Sequence, residues 1–184
     1  MEEKQINIWN EAALPGLVLG SVSIIYMVLS MLMGSLAGTG GMAFLIGLLS
    51  FLLWAGKLFL CIWLMKFFML RFSGRNPSAD NRKVFRFGMV VALFSALLYS
   101  GFDLLYMLYI NPDYIGQSFD LIMQQYASMA DSSTLEAMEN MKSDMPAITF
   151  FSQLVWCWLF GTALSSIFSR KIPSDASDPF KNQQ

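Results

Sequence analysis

Histidine is missing altogether from the 184 residues, cysteine occurs only twice and charged side chains make up only 14%. The lack of histidine removes the commonest general base and the commonest metal ligand together. Cys61 and Cys157 form no C-x-x-C, and their depths in the helices read below differ by about 10 Å, so a disulfide is not expected. Both read as small core residues. H-E-x-x-H, a phosphate loop and G-x-S-x-G are also absent. No catalytic residue, cofactor or metal is therefore expected, and the reading is "not an enzyme". Six prolines are present, none of them at the centre of an apolar run. The net charge of −1 marks no nucleic-acid partner.

What the chain has is apolar mass. Hydrophobic residues make up 55% and the mean hydropathy is +0.51, too apolar for an ordinary soluble domain and too regularly patterned for disorder. A run must cover about 30 Å of hydrocarbon, about 20 helical residues, to cross a bilayer. Four runs qualify, 14–37, 42–70, 84–110 and 147–168. The fold class expected is an all-α membrane protein, a four-transmembrane-helix bundle with an extracytoplasmic amphipathic segment between helices three and four. The first run is preceded by acidic "MEEKQ" and is too long for a signal peptide, so it reads as an uncleaved span.

Charge placement orients the bundle. Arg71, Arg75, Arg82, Lys83 and Arg86 stand against Asp80 between spans two and three, whereas residues 111–146 carry six carboxylates and Lys142. Lys and Arg are retained on the cytoplasmic side, so the basic connection and "SRKIP" face inward and both termini are cytoplasmic. The division expected is a cytoplasmic segment over 1–13, a single membrane domain over 14–170 with an outer helical cap over 113–145, and a flexible cytoplasmic tail over 171–184. In the cap, Ile115, Phe119, Ile122, Tyr126 and Met129 recur at helical spacing, and Ser133 with Glu136 has the spacing of a capping box. Its carboxylates are scattered, unlike those of a calcium loop. The stripe packs on the bundle, sits in the headgroup layer or docks a partner.

Of the charged groups within the runs, Lys57 and Asp103 lie deepest. Lys57 falls about 20 Å from the outer end of span two and Asp103 roughly 10 Å below the outer surface in span three. Side chains lean toward the N-terminus of their own helix, so the two reach toward each other and an ion pair is expected. Gln153, Tyr26 and Ser30 come to a similar depth, which gives an intramembrane polar cluster. It reads either as a structural pair fixing helix register or as a proton or substrate site.

Small residues supply packing. Gly16 and Gly20, Gly34 and Gly38 with Ser30, and Gly161 with Ser165 recur every fourth position, as in close helix association, within the chain or in a homo-oligomer. Trp9 falls at an interface, and the other tryptophans read as bulk or lipid contacts. The basic connection either fixes topology or touches anionic headgroups through Arg71, Arg75, Arg82, Lys83 and Arg86.

The Gly-rich first span, the basic connection, "FRFGMVVALFSALLYSGFDLLY", then "INPDY" opening an outer helix and a last span ending in basic residues resemble the domain of unknown function family four-one-nine-nine. The resemblance covers Gly16 to Lys171, with Asn111, Pro112, Asp113 and Tyr114 as its compact motif. It implies a small bacterial four-span inner-membrane protein, without an assigned activity, of a kind associated with membrane-bound glycosyltransferases. Asn111, Pro112 and Asp113 read physically as a helix end, a turn and an N-cap. Three functions stand. The first is a non-enzymatic accessory, scaffold or anchoring subunit with lipid and a membrane protein as partners; the second is a small transporter or channel using Lys57 and Asp103; the third is a lipid-acting enzyme. For the topology, cysteine-labelling reporters at Ser78 and Ser132 are expected to react from opposite sides of the membrane, and labelling of both from one side would overturn it.

Overall fold

The computed structural model describes residues 7–35, 41–77, 79–126, 131, 133 and 140–172. Its elements are α1 (Ile8–Ser35), α2 (Gly41–Arg75), α3 (Asn81–Leu105) running into a π-helical turn (Tyr106–Ile110), α4 (Asp113–Tyr126) and α5 (Met145–Lys171). Among the described residues there is no strand. Four stretches are long and apolar enough to cross a membrane: Ile8–Gly34, Phe44–Arg75, Asn81–Ile110 and Met145–Lys171.

The helices run past the apolar runs that announce them. α1 starts six residues before Leu14 and α2 continues to Arg75, because helix ends are decided by capping and backbone hydrogen bonds while hydropathy marks only the part that matches hydrocarbon. The start of α3 shows this most directly. Asp80 is extended, its carboxylate accepts from the Asn81 N–H at 2.7 Å, and its carbonyl accepts from Lys83 and Val84, so orphan donors of the first turn are satisfied. Just before it, the Ala79 N–H donates to the Asn76 carbonyl at 2.8 Å, and the Asn76 amide donates to the Phe72 carbonyl. This short turn folds α3 back beside the end of α2.

α3 is the central element, packed chiefly between α1 and α5, while α2 leans mainly on α1. Its buried face carries Val84, Phe87, Val91, Ala96, Ser100, Asp103 and Met107, a stripe at spacings of three to five that follows the helical turn. The core gathers at the end of the bundle that bears the basic turn, where Met65, Met69 and Phe72 of α2 meet Val84, Phe87 and Val91. There Phe72 and Phe87 stack at 4.2 Å with rings 7° apart. At the far end, between Phe44 and Gly56 on α2, no described residue is buried.

Glycine contacts explain that difference. A Cβ on Gly16 would collide with Phe94, on Gly20 would stand 2.7 Å from Leu98, on Gly161 would collide with Ala92, and on Gly88 would collide with Ser165. These four let backbones approach closely, and Ser165 ties α5 to α3 by donating to the Phe85 carbonyl at 2.9 Å. Gly34 behaves otherwise: nothing lies within 4 Å of its Cβ position, nor of those of Gly47, Gly56 and Gly101. The expectation that Gly34 packs a helix within the chain is thus corrected, because its Cβ position faces open space. Gly38 lies outside the described residues, as does the tail beyond Ile172.

The segment expected as an outer cap is helical over Asp113–Tyr126, with Phe119 buried and Leu121 exposed. Asp113 is the first helical residue rather than the cap, where its charge complements the N-terminal dipole. Lys142 crosses to α4, 3.4 Å from Asp120 and 5.6 Å from the Phe119 ring centroid. Ser133 donates to Asp131 at 3.0 Å, while Met129 and Glu136 lie outside the described residues.

Two sets of glycine variants should separate. Gly88→Leu or Gly161→Leu is expected to destabilise the protein in detergent by about 1–3 kcal/mol through overpacking. Gly34→Ala and Gly47→Ala should leave stability unchanged or raise it by up to about 1 kcal/mol from helix propensity. Denaturant titration followed by circular dichroism checks both.

Candidate functional site

Lys57 lies near the middle of α2, 16 residues from Gly41 and 18 from Arg75, hence about 24 Å and 27 Å from the two helix ends. It is half-buried. Its Nζ stands 4.8 Å from the Tyr26 ring centroid on α1 and 5.0 Å from that of Tyr99 on α3. The ammonium is therefore held between two aromatic faces, each worth about 0.5–2 kcal/mol depending on desolvation. Together they offset much of the cost of about 2.5–3.5 kcal/mol for placing a cation at mid-membrane.

The expected ion pair is not formed: no salt bridge joins Lys57 to Asp103. Lys57 is level with Tyr99, and Asp103 lies four residues further along α3, about 6 Å toward the far end. α2 also makes less contact with α3 than α1 does, so succession in the chain did not make α2 and α3 close neighbours along their whole length. Asp103 is 9% exposed and sits on the buried face of α3, with Ser100 three residues before it bonded to the Ala96 carbonyl at 2.7 Å.

The other polar groups assemble around the lysine in pairs, one from each long helix. Ser23, which is buried, lies against Cys61, and Gln153 lies beside Tyr99. Cys61 lies one turn from Lys57 on α2, and both it and Cys157 are free. Ser23 and Tyr26, Lys57 and Cys61, Tyr99 and Asp103, and Gln153 and Cys157 are each three or four residues apart, one turn on one face. Of the cluster expected from sequence, Lys57 and Tyr26 meet directly, Gln153 joins through Tyr99, and Ser30 lies one turn beyond Tyr26 toward the far end. Sequence reasoning missed Tyr99, Ser23 and both cysteines because it ranked polar residues by depth alone. The signal was there in their spacing from residues already chosen.

Toward the basic end two more buried polar atoms, Trp158 Nε1 and Thr162 Oγ1 on α5, have no hydrogen-bond partner. At the far end an open cleft of about 600 Å³ lies between the π-helical turn, the start of α4 and Pro146, with Asp113, Asp120 and Lys142 on its walls. The π-turn is closed by the Asn111 N–H donating to the Tyr106 carbonyl five residues back at 2.9 Å. Arg71, Arg75, Arg82, Lys83 and Arg86 are exposed, forming with Arg170 and Lys171 a cationic rim at the basic end. Among the described residues no three His, Cys, Asp or Glu side chains converge to hold a metal ion. Chemically, the central cluster can hold a cation in place and present it to an anion or a proton acceptor.

If the two rings support the ammonium, Tyr26→Phe and Tyr99→Phe should leave stability within about 0.5 kcal/mol, since the π-face is kept. Tyr26→Leu or Tyr99→Leu should cost about 1–2 kcal/mol more in the Lys57 protein than in a Lys57→Met background. A double-mutant cycle of unfolding free energies measures the difference, and equal costs in the two backgrounds would refute the cation–π contribution.

The comparisons bear on the whole bundle. A family model described as "Protein of unknown function (DUF4199)" matches residues 15–170. No curated protein and no solved structure matches the chain. The matched range begins beside Gly16, which lies against Phe94 of α3, runs through all four long helices and the lysine cluster, and ends at Arg170 in the cationic rim. The chain belongs to the DUF4199 family of proteins of unknown function.

Proposed function

We propose that the chain is a multi-pass protein of the bacterial inner membrane, with both termini cytoplasmic, that serves as a non-enzymatic accessory, scaffold or anchoring subunit for another membrane or membrane-associated protein, such as a glycosyltransferase. The observation that carries this reading is α2. In its most apolar window no residue is buried, and Phe44, Phe51, Trp54, Phe59 and Trp63 are each about half or more exposed. Exposed aromatic pairs stack along it, Phe51 with Trp54 at 5.9 Å and Trp63 with Phe67 at 5.6 Å. Rigid aromatic surface with low conformational freedom suits helix–helix docking in a membrane, and lipid covers whatever a partner does not. The cationic rim suits contact with anionic headgroups.

A second reading has its own support. Lys57 has no carboxylate partner and Asp103 is buried apart from it, so the two do not neutralise each other. Unneutralised ionisable groups within a span are functional candidates, which favours a small transporter or channel.

One experiment in native membranes separates the two. Cross-linking at natural expression followed by affinity capture of the full chain should recover a stoichiometric membrane partner, and recovery of the chain alone would overturn the accessory reading. Proteoliposomes of purified protein should then show no proton flux that depends on Lys57 and Asp103. Flux abolished by Lys57→Met or Asp103→Asn would establish the transport reading instead.

A further inference from the structure

Lys57 is too far from both ends of α2 to snorkel to either interface, and among the described residues no carboxylate pairs with it. Apart from Asp103, the acids of the described residues lie at the ends of the bundle: Glu11 in the first turn of α1, Asp80 in the basic-end turn, and Asp113, Asp120, Asp131 and Asp144 at the far end. The ammonium is nonetheless reachable. Lys57 keeps partial exposure, and from Phe44 to Gly56 α2 buries no described residue. Gly56 on α2 and Gly101 on α3, near Lys57 and Tyr99, have open space at their Cβ positions, as do Gly47 and Gly34 about 12–15 Å further toward the far end. Gly16, Gly20, Gly88 and Gly161, by contrast, are filled by neighbouring helices.

We propose that Lys57 recognises a carboxylate carried in the middle of a partner protein's transmembrane helix, which packs against the far half of α2, where no described residue is buried. This rests on the accessory reading and names the chemistry of its partner. Charge complementarity selects the occupant. The headgroup of an anionic lipid stays at the interface, while Lys57 is at the middle of its span. A second copy of this chain brings only Asp103 at a comparable level, and that side chain is 9% exposed inside its own bundle. A separate helix bearing Asp or Glu at its midpoint meets the lysine directly, and the Tyr26 and Tyr99 rings hold the ammonium aimed at it. An ion pair formed there leaves neither charge alone in hydrocarbon.

The test uses purified full-length protein in liposomes at neutral pH and a labelled transmembrane peptide of leucine and alanine with one central glutamate. Association is read by energy transfer. The glutamate peptide is expected to bind on the order of tenfold more tightly than its glutamine counterpart, in line with a polar interhelical contact in a bilayer. That preference should vanish in Lys57→Met, persist in Lys57→Arg, and pass to a central-lysine peptide in Lys57→Glu. Circular dichroism of each variant shows that it remains folded, and the Lys57→Arg and Lys57→Glu results keep the test decisive should Lys57→Met lose helix. Equal binding of the glutamate and glutamine peptides, or a glutamate preference that survives Lys57→Met, would overturn the proposal. Native capture distinguishes the two levels. A stoichiometric partner retained by Lys57→Met leaves the accessory reading standing and refutes the role of Lys57, whereas a peptide preference without any captured partner supports the site and refutes the accessory reading.

Discussion

The close approach of α3 to α1 and α5 is the constraint on which the rest of the structure depends. It is made possible by absent side chains: Gly16 and Gly20 admit Phe94 and Leu98, Gly161 admits Ala92, and Gly88 admits Ser165. In hydrocarbon no hydrophobic force draws helices together, so dispersion contacts and occasional hydrogen bonds must do it. Tight glycine contacts supply the first and the Ser165 hydroxyl on the Phe85 carbonyl supplies the second. The buried face of α3 follows chiefly from its enclosure by these two neighbours, with α2 adding Met65, Met69 and Phe72 at the basic end.

α2 is built on a different principle. It joins the bundle at the basic end, where Met65, Met69 and Phe72 pack on the start of α3, and it buries nothing among its described residues nearer the far end. Lys57 stands at the boundary between the packed half and the open half. Two tyrosines meet it there in place of a carboxylate. Aromatic faces attract a cation without neutralising it, so the charge stays available at a level where the membrane itself offers no counter-ion.

The long helices were legible because their signal is redundant: some 20 apolar residues in a row and basic residues at one end survive any local exception. Gly16, Gly20 and Gly161 were legible for the same reason, as repeated small residues rather than as single positions. The Lys57 to Asp103 pairing was not. Depth along two helices can be counted from residue numbers, but whether the helices stay adjacent at that depth depends on a crossing geometry set by all four. Tyr99 and the cysteines were visible only as neighbours by one turn of residues already in view, and Gly34 looks identical in sequence to Gly20 although it faces open space.

The amino-acid sequence by itself determined the number of long helices, their direction through the bundle and the concentration of cations at one end, because hydropathy and charge act residue by residue against the solvent. Tertiary structure alone decided which glycines are filled, which helix is central, and that Lys57 meets aromatic rings while Asp103 is enclosed apart from it. Those outcomes depend on distances between helices, and such distances arise only when all the surfaces are packed at once.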